Sequence, residues 1–192
     1  MIEFRQVSFS YGGKAVLRDL SFRVERGSRR GLRGPSGSGK TTVLRLILGL
    51  ETPDSGVVDI AKGPVSALFQ ENRLLPYLTV AENCALFATD KKTVAPMLEA
   101  LGLREAAHCL PSALSGGMAR RAALARTLCR EAALYLLDEP FTGLDGESAR
   151  RAAEAVNRVT AGRTVLAVSH RTEELEALGC GDWIDLDTKE GI

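Results

Sequence analysis

Gly34-Pro35-Ser36-Gly37-Ser38-Gly39-Lys40-Thr41 is the stretch that decides the fold. It matches the spacing G-x-x-x-x-G-K-[ST], in which glycines let the backbone curl until successive N–H groups face one anion. Those groups open a helix, because Val43, Leu44, Ile47 and Leu48 follow at helical spacing, and a helix N-terminus favours negative charge. Lys40 adds a full positive charge for the β- and γ-phosphates of a nucleotide, and Thr41 adds a hydroxyl for Mg2+. Thr42 completes the candidate nucleotide-binding run. The four fixed positions coincide by accident in less than about 1% of chains this long. A strand is expected just before such a loop. Ser28-Arg29-Arg30-Gly31-Leu32-Arg33 stands there and is polar where a buried strand should be apolar, so the sequence is at odds with itself at this point.

Further along, Leu134-Tyr135-Leu136-Leu137-Asp138-Glu139 is an apolar run stopped by two acids, the pattern of a strand buried on both faces of a parallel sheet. Ligands of open α/β sheets bind at the carboxyl ends of their strands, where these acids fall. Asp138 is placed to hold Mg2+ and Glu139 to face the water that attacks a γ-phosphate. An apolar run ending in acids is common, but the phosphate loop upstream gives this one a purpose.

The remaining pattern is α/β. Ile2, Phe4, Val7 and Phe9, then Leu20, Phe22 and Val24, alternate as half-buried strands around a Gly12-Gly13 turn. Short apolar runs between Val57 and Gln70 predict two more strands. Thr79 to Leu110 is mostly helical in pattern, Gly117 to Arg130 predicts a long helix, and Glu147 to Val159 another. Thr164 to Val168 and Trp183 to Leu186 read as further strands. Strands alternating with helices predict a mostly parallel core sheet, with an antiparallel N-terminal β subdomain and a helical subdomain inserted at about 72–130 in one domain spanning 1–192.

Composition excludes several function classes. The 192 residues are 45% hydrophobic and 26% charged, as in an ordinary globular domain, and the net charge of +1 does not suit a nucleic-acid surface. The pairs Arg29-Arg30 and Arg120-Arg121 read as solvated faces. No apolar stretch is long enough to cross a bilayer, so a membrane function would need a partner to supply the span. Cys84, Cys109, Cys129 and Cys180 lack metal-ligand spacing and read as small buried hydrophobes in a reducing compartment.

Leu114-Ser115-Gly116-Gly117-Met118 narrows the reading. A serine hydroxyl and glycine N–H groups opening a helix make a second anion site, although Ser115 would serve equally as a plain N-cap. One cradle already holds one triphosphate, so a second site points to another copy. The stretch resembles the signature motif of ABC ATPases, and the resemblance covers nearly the whole chain. It implies a P-loop fold of the ABC ATPase type, ATP and Mg2+ as ligands, and a second ATP-binding subunit, identical or homologous, packed head to tail. Lys40, Glu139 and His170 would then be catalytic, and Thr41, Gln70 and Asp138 would attend the metal. Ser115, Gly116 and Gly117 would cap the partner's nucleotide, Tyr11 would stack on adenine, and Asp145, within Phe141-Thr142-Gly143-Leu144-Asp145, would communicate across the dimer. A lone Tyr or His at a strand end also serves as packing.

Glu71-Asn72-Arg73-Leu74-Leu75-Pro76-Tyr77-Leu78-Thr79-Val80-Ala81-Glu82-Asn83 and Met118 resemble bacterial importer subunits for nitrate, sulfonate, taurine and related solutes. That group implies integral membrane permease subunits, an extracytoplasmic solute-binding protein, no nucleic acid, and a cytoplasmic place on the inner face of the cell membrane. Ser169-His170-Arg171 departs from it, with Arg where importers commonly carry an acid. The chain is also shorter than most relatives, from which no C-terminal regulatory domain is expected. Two rivals remain: an ABC ATPase that moves no solute and acts on a soluble macromolecular partner, and a nucleotide-binding regulator without hydrolysis. The first often carries two cassettes or long inserted arms, which this sequence lacks, and Glu139 with His170 speaks against the second.

Overall fold

A computed structural model of the chain describes residues 1–186. The alternating N-terminal segment forms β1 (Ile2–Tyr11) and β2 (Lys14–Val24), joined by the two-residue turn at Gly12-Gly13. With β4 (Ser55–Ile60) they make an antiparallel sheet in the order β2-β1-β4. The second sheet is parallel. It comprises β3 (Arg29–Arg33), β5 (Val65–Leu68), β6 (Leu134–Asp138), β7 (Thr164–Val168) and β8 (Trp183–Asp185), in the order β5-β6-β7-β3-β8.

Period-two alternation divides the apolar strands between two cores. Leu134, Leu136, Leu166 and Val168 point to one side, where α1 (Lys40–Ile47) and Ile2, Phe4 and Val7 of the antiparallel sheet meet them. Tyr135, Leu137, Val165 and Ala167 point to the other, against α4 (Gly116–Cys129), α5 (Gly146–Val159) and Leu175 of α6 (Thr172–Ala177). The predicted helical stretch resolves into α2 (Val80–Phe87) and α3 (Val94–Ala100), whose Val80, Cys84, Met97 and Leu98 pack in the α4 core. α2 begins with a capping box, Glu82 N–H donating to Thr79 Oγ1 and Thr79 N–H to Glu82 Oε2.

The polar segment before the phosphate loop is a strand after all. Leu32 is fully buried, and the arginines either side carry their heads outward. Arg29 donates to Asn157 Oδ1 (2.5 Å) and the Leu178 carbonyl (2.8 Å), Arg30 to the Arg23 carbonyl (2.7 Å) and Asp182, and Arg33 to Asp185. Aliphatic stems lie over apolar surface while the charges find partners at the rim. The helix α6 had no counterpart in the sequence reading. Cys84, Cys129 and Cys180 are buried and Cys109 half-buried, all four unbridged. Among the described residues no helix is long and apolar enough to cross a membrane.

Candidate active site

The phosphate loop leaves β3 at Arg33 and enters α1 at Lys40. Its first and last glycines are dictated by close approach. A Cβ on Gly34 would sit 2.6 Å from the Leu186 carbonyl oxygen and 2.6 Å from Ser38 Oγ, and one on Gly39 would sit 2.7 Å from Leu17 Cδ2. Gly39 is the N-cap of α1, with φ of 94°, so the loop N–H groups and the helix dipole converge on one place. Lys40 folds back along the loop, its ammonium donating to the carbonyls of Gly34 (2.7 Å) and Pro35 (2.8 Å).

Opposite the loop stand the ends of β6 and β7. Parallel pairing sets Asp138 beside Val168, and the ladder runs one residue further, with Glu139 N–H donating to the Val168 carbonyl (2.9 Å). That register brings Glu139 and His170 together, His170 Nδ1 lying 3.0 Å from Glu139 Oε1. Glu139 takes a left-handed backbone conformation, φ 49°, which is costly for a residue with a side chain and recurs at functional sites. Its Oε2 is buried with no partner among the described residues, as is Ser38 Oγ. Thr41 Oγ1 donates to Asp138 Oδ2 (3.3 Å). Burial pushes the Asp138 carboxyl above its ordinary range, opposed by the Thr41 hydrogen bond and the charges of Arg120 and Lys40.

A cavity of about 470 Å3 opens between these walls, lined by Tyr11, Val16, Ser36, Gly37, Gly39, Lys40, Thr41, Thr42, Gln70, Asp138 and Glu139. Ten of the eleven lining residues are predicted ones, from four separate segments, and only Val16 had drawn no notice. Gly34, Pro35 and Ser38 shape the loop from behind, and His170 reaches the cavity through Glu139. Tyr11 is 44% exposed, stacked edge-on against Phe9 and hydrogen-bonded to Glu51. The donors fit a small hard cation: a hydroxyl and a carboxylate already within hydrogen-bond distance, with the Gln70 amide on the same wall. When bound, Mg2+ would neutralise charge on the β- and γ-phosphates.

The residues expected to cap a partner's nucleotide and to communicate across the dimer do not line this cavity. Ser115 caps α4 by accepting from Met118 N–H (3.3 Å), and Gly116 is exposed beside it. Gly117 packs against the Gly143 carbonyl. Asp145 caps α5, accepting from Ser148 N–H (2.8 Å) and Ser148 Oγ–H (2.9 Å), and these bonds hold its carboxyl below the ordinary range.

A cradle at a helix N-terminus facing two acids across a parallel sheet defines a P-loop nucleoside triphosphatase. A family model described as ABC transporter matches residues 17–142. The aliphatic sulfonates import ATP-binding protein SsuB 1 of Pseudomonas syringae pv. syringae (strain B728a) is 38% identical, over 91% of this chain and 76% of that protein. The thiamine import ATP-binding protein ThiQ of Brucella abortus biovar 1 (strain 9-941) is 39% identical, over 90% and 79%. The solved dimeric structure of MJ0796, a bacterial ABC transporter cassette, superposes with a TM-score of 0.85 at 24% identity, covering 99% of this chain and 97% of that one, a likeness of fold. The chain belongs to the ABC transporter family, as its ATP-binding and ATP-hydrolysing subunit. Nothing in these likenesses favours the alternative of an ABC ATPase that moves no solute.

Proposed function

We propose that this chain hydrolyses ATP to drive import of a small oxyanionic solute of the nitrate, sulfonate or taurine type through separate membrane subunits. The observation that carries the chemistry is the placement of Glu139, which lines the cavity with its Oε1 engaged by His170 and its buried Oε2 without a hydrogen-bond partner among the described residues. Glu139 takes a proton from the attacking water, and His170 fixes the orientation of its carboxylate. Lys40 turns from the loop carbonyls to the β- and γ-phosphates and offsets the charge that develops there. Thr41, Asp138 and Gln70 hold Mg2+, and Tyr11 lies under the adenine.

Because Ser115, Gly116 and Gly117 open α4 away from this chain's own cavity, they serve the nucleotide of a second copy or homologue packed head to tail, with Asp145 near that contact. Residues 72–130 form the inserted subdomain that meets the membrane subunits. Supporting this is a groove of about 390 Å3 lined by Leu48, Leu50, Phe69, Phe87, Arg126 and Arg130 among others, beside the loop that carries Tyr77 at 91% exposure. A helix from the permease would occupy that groove, with the chain on the cytoplasmic face of the cell membrane and an extracytoplasmic solute-binding protein delivering the solute. The sulfonate import proteins among its relatives support the solute class.

The test is phosphate release in proteoliposomes holding the chain, its permease and the solute-binding protein. Alkanesulfonate, taurine or nitrate should stimulate hydrolysis. If none does, and thiamine or another unrelated solute does, the solute class is wrong while the motor stands.

A further inference from the structure

Three arginines of α4 clamp three different segments. Arg121 donates to the carbonyls of Leu101 (2.7 Å) and Gly102 (3.1 Å), closing the end of α3. Arg126 donates to the carbonyls of Arg73 (2.6 Å) and Asn72 (2.9 Å), steadying the loop after Gln70. Arg120 is different in depth and in what it joins. It is 3% exposed. Its Nη1 donates to the carbonyls of Phe69 (2.6 Å) and Gln70 (3.1 Å) and to Asn72 Oδ1 (3.2 Å). Its Nη2 donates to the carbonyls of Glu139 (2.7 Å) and Asp138.

These acceptors belong to the two segments that leave β5 and β6 on their way into the site. The ladder between those strands ends at the pair Leu68 and Leu137. Beyond that pair no ladder pairing among the described residues fixes the distance between Gln70 and Glu139, and the guanidinium spans the gap, one edge on each segment. Burying a cation is expensive, and burial pulls Arg120 below its ordinary pKa. An apolar side chain of similar size would fill the same space without that cost. The planar fork, by contrast, offers donors in fixed directions to several carbonyls at once, which neither an apolar residue nor a lysine does.

We propose that Arg120 is a positioning residue for hydrolysis: it sets the spacing between Gln70 and Glu139 and ties both to the helix that Ser115 opens. This rests on the roles of Glu139 and Gln70 given above. α4 is a single helix, so a load on its Ser115 end from a second copy's nucleotide reaches Arg120 as a rigid shift. Arg120 then passes that shift to the carboxylate of its own site.

The experiment uses the full chain with Arg120→Lys and Arg120→Ala, measuring MgATP hydrolysis, affinity for a fluorescent ATP analogue, and thermal midpoint. Lys keeps the charge and part of the tether but not the fork. The expected kcat falls about 10-fold for Lys and about 100-fold for Ala, the scale of a misplaced catalytic group, while nucleotide affinity stays within about 3-fold of wild type. A role in folding alone does not produce that split. Wild-type kcat in both folded variants would overturn the proposal. So would equal losses of kcat and affinity, or failure of both variants to fold, because each would leave Arg120 a stabilising residue only. A wild-type chain with no Mg2+-dependent hydrolysis would instead remove the ATPase reading itself, and the two failures are therefore distinguishable.

Discussion

β6 and β3 lie inside the same parallel sheet, each flanked on both sides, and each ends at the nucleotide cavity, yet their sequences have little in common. All five residues of β6 are buried, and its side chains divide cleanly between the two cores. Three of the five residues of β3 are arginines, all half-buried, with only Gly31 and Leu32 fully inside. The difference follows from position. Both strands are second from an edge of the sheet, but β6 has a core over each face and is backed by β5 along four residues, whereas β3 has as its outer neighbour a strand of only three, Trp183–Asp185. There an arginine stem can cover the sheet and still deliver its head to Asp182, Asp185 or the Leu178 carbonyl. An apolar run is sufficient to mark an interior strand but is not necessary.

The largest test of the contrast is at the end of β6. Glu139→Gln should retain nucleotide binding and lose hydrolysis by about 100-fold or more, the weight of a general base, measured as phosphate release. Wild-type turnover would take Glu139 out of the reaction. Next comes the interior of β3. Gly31→Val places a Cβ 2.7 Å from Leu175 Cδ1 and 3.1 Å from Trp183 Cβ, so urea denaturation should show a loss of about 1–3 kcal/mol from overpacking. No loss would mean that α6 and β8 yield easily.

The smallest effect is in the opposite direction. The Asp138 carboxyl has a raised pKa in the folded chain, so its ionisation costs stability as pH rises through that value. Below about 3.9, the ordinary aspartate pKa, it is protonated folded and unfolded alike. In Mg2+-free buffer Asp138→Asn should therefore melt above wild type at pH 7, with the gap shrinking as the pH falls toward about 4. Equal midpoints at pH 7 would show that Thr41 and Arg120 fully offset the burial.

Much of this was legible in advance because the local signals agreed with one another. Loop spacing, helical periodicity after Lys40 and the apolar run of β6 each specify one conformation, and the structure places their residues around one cavity. β3 was obscured because the apolar pattern measures side-chain type, whereas burial there depends on where the guanidinium heads can go. α6 is six residues long, too short to display a period. Arg120 read as a solvated residue, though a signal existed: Leu124, Thr127 and Leu128 follow at i+4, i+7 and i+8 and are all buried, which puts Arg120 on the same inward stripe. Val16 carries no comparable mark, since it borders the cavity only through the hairpin that pairs β1 with β2.

The neighbours of β3 have a consequence for biosynthesis. The phosphate loop is translated early, but the strands on either side of its parent are β7 and β8, among the last described elements to emerge from the ribosome, and Gly34 rests on Leu186. Such non-local pairings form late, after the entropy of closing a long chain segment has been overcome. A nascent polypeptide therefore exposes the glycine-rich stretch without a complete seat for nucleotide while the segment between β3 and β8 is being made. Competence to bind waits until β7 and β8 have been made and have paired on either side of β3.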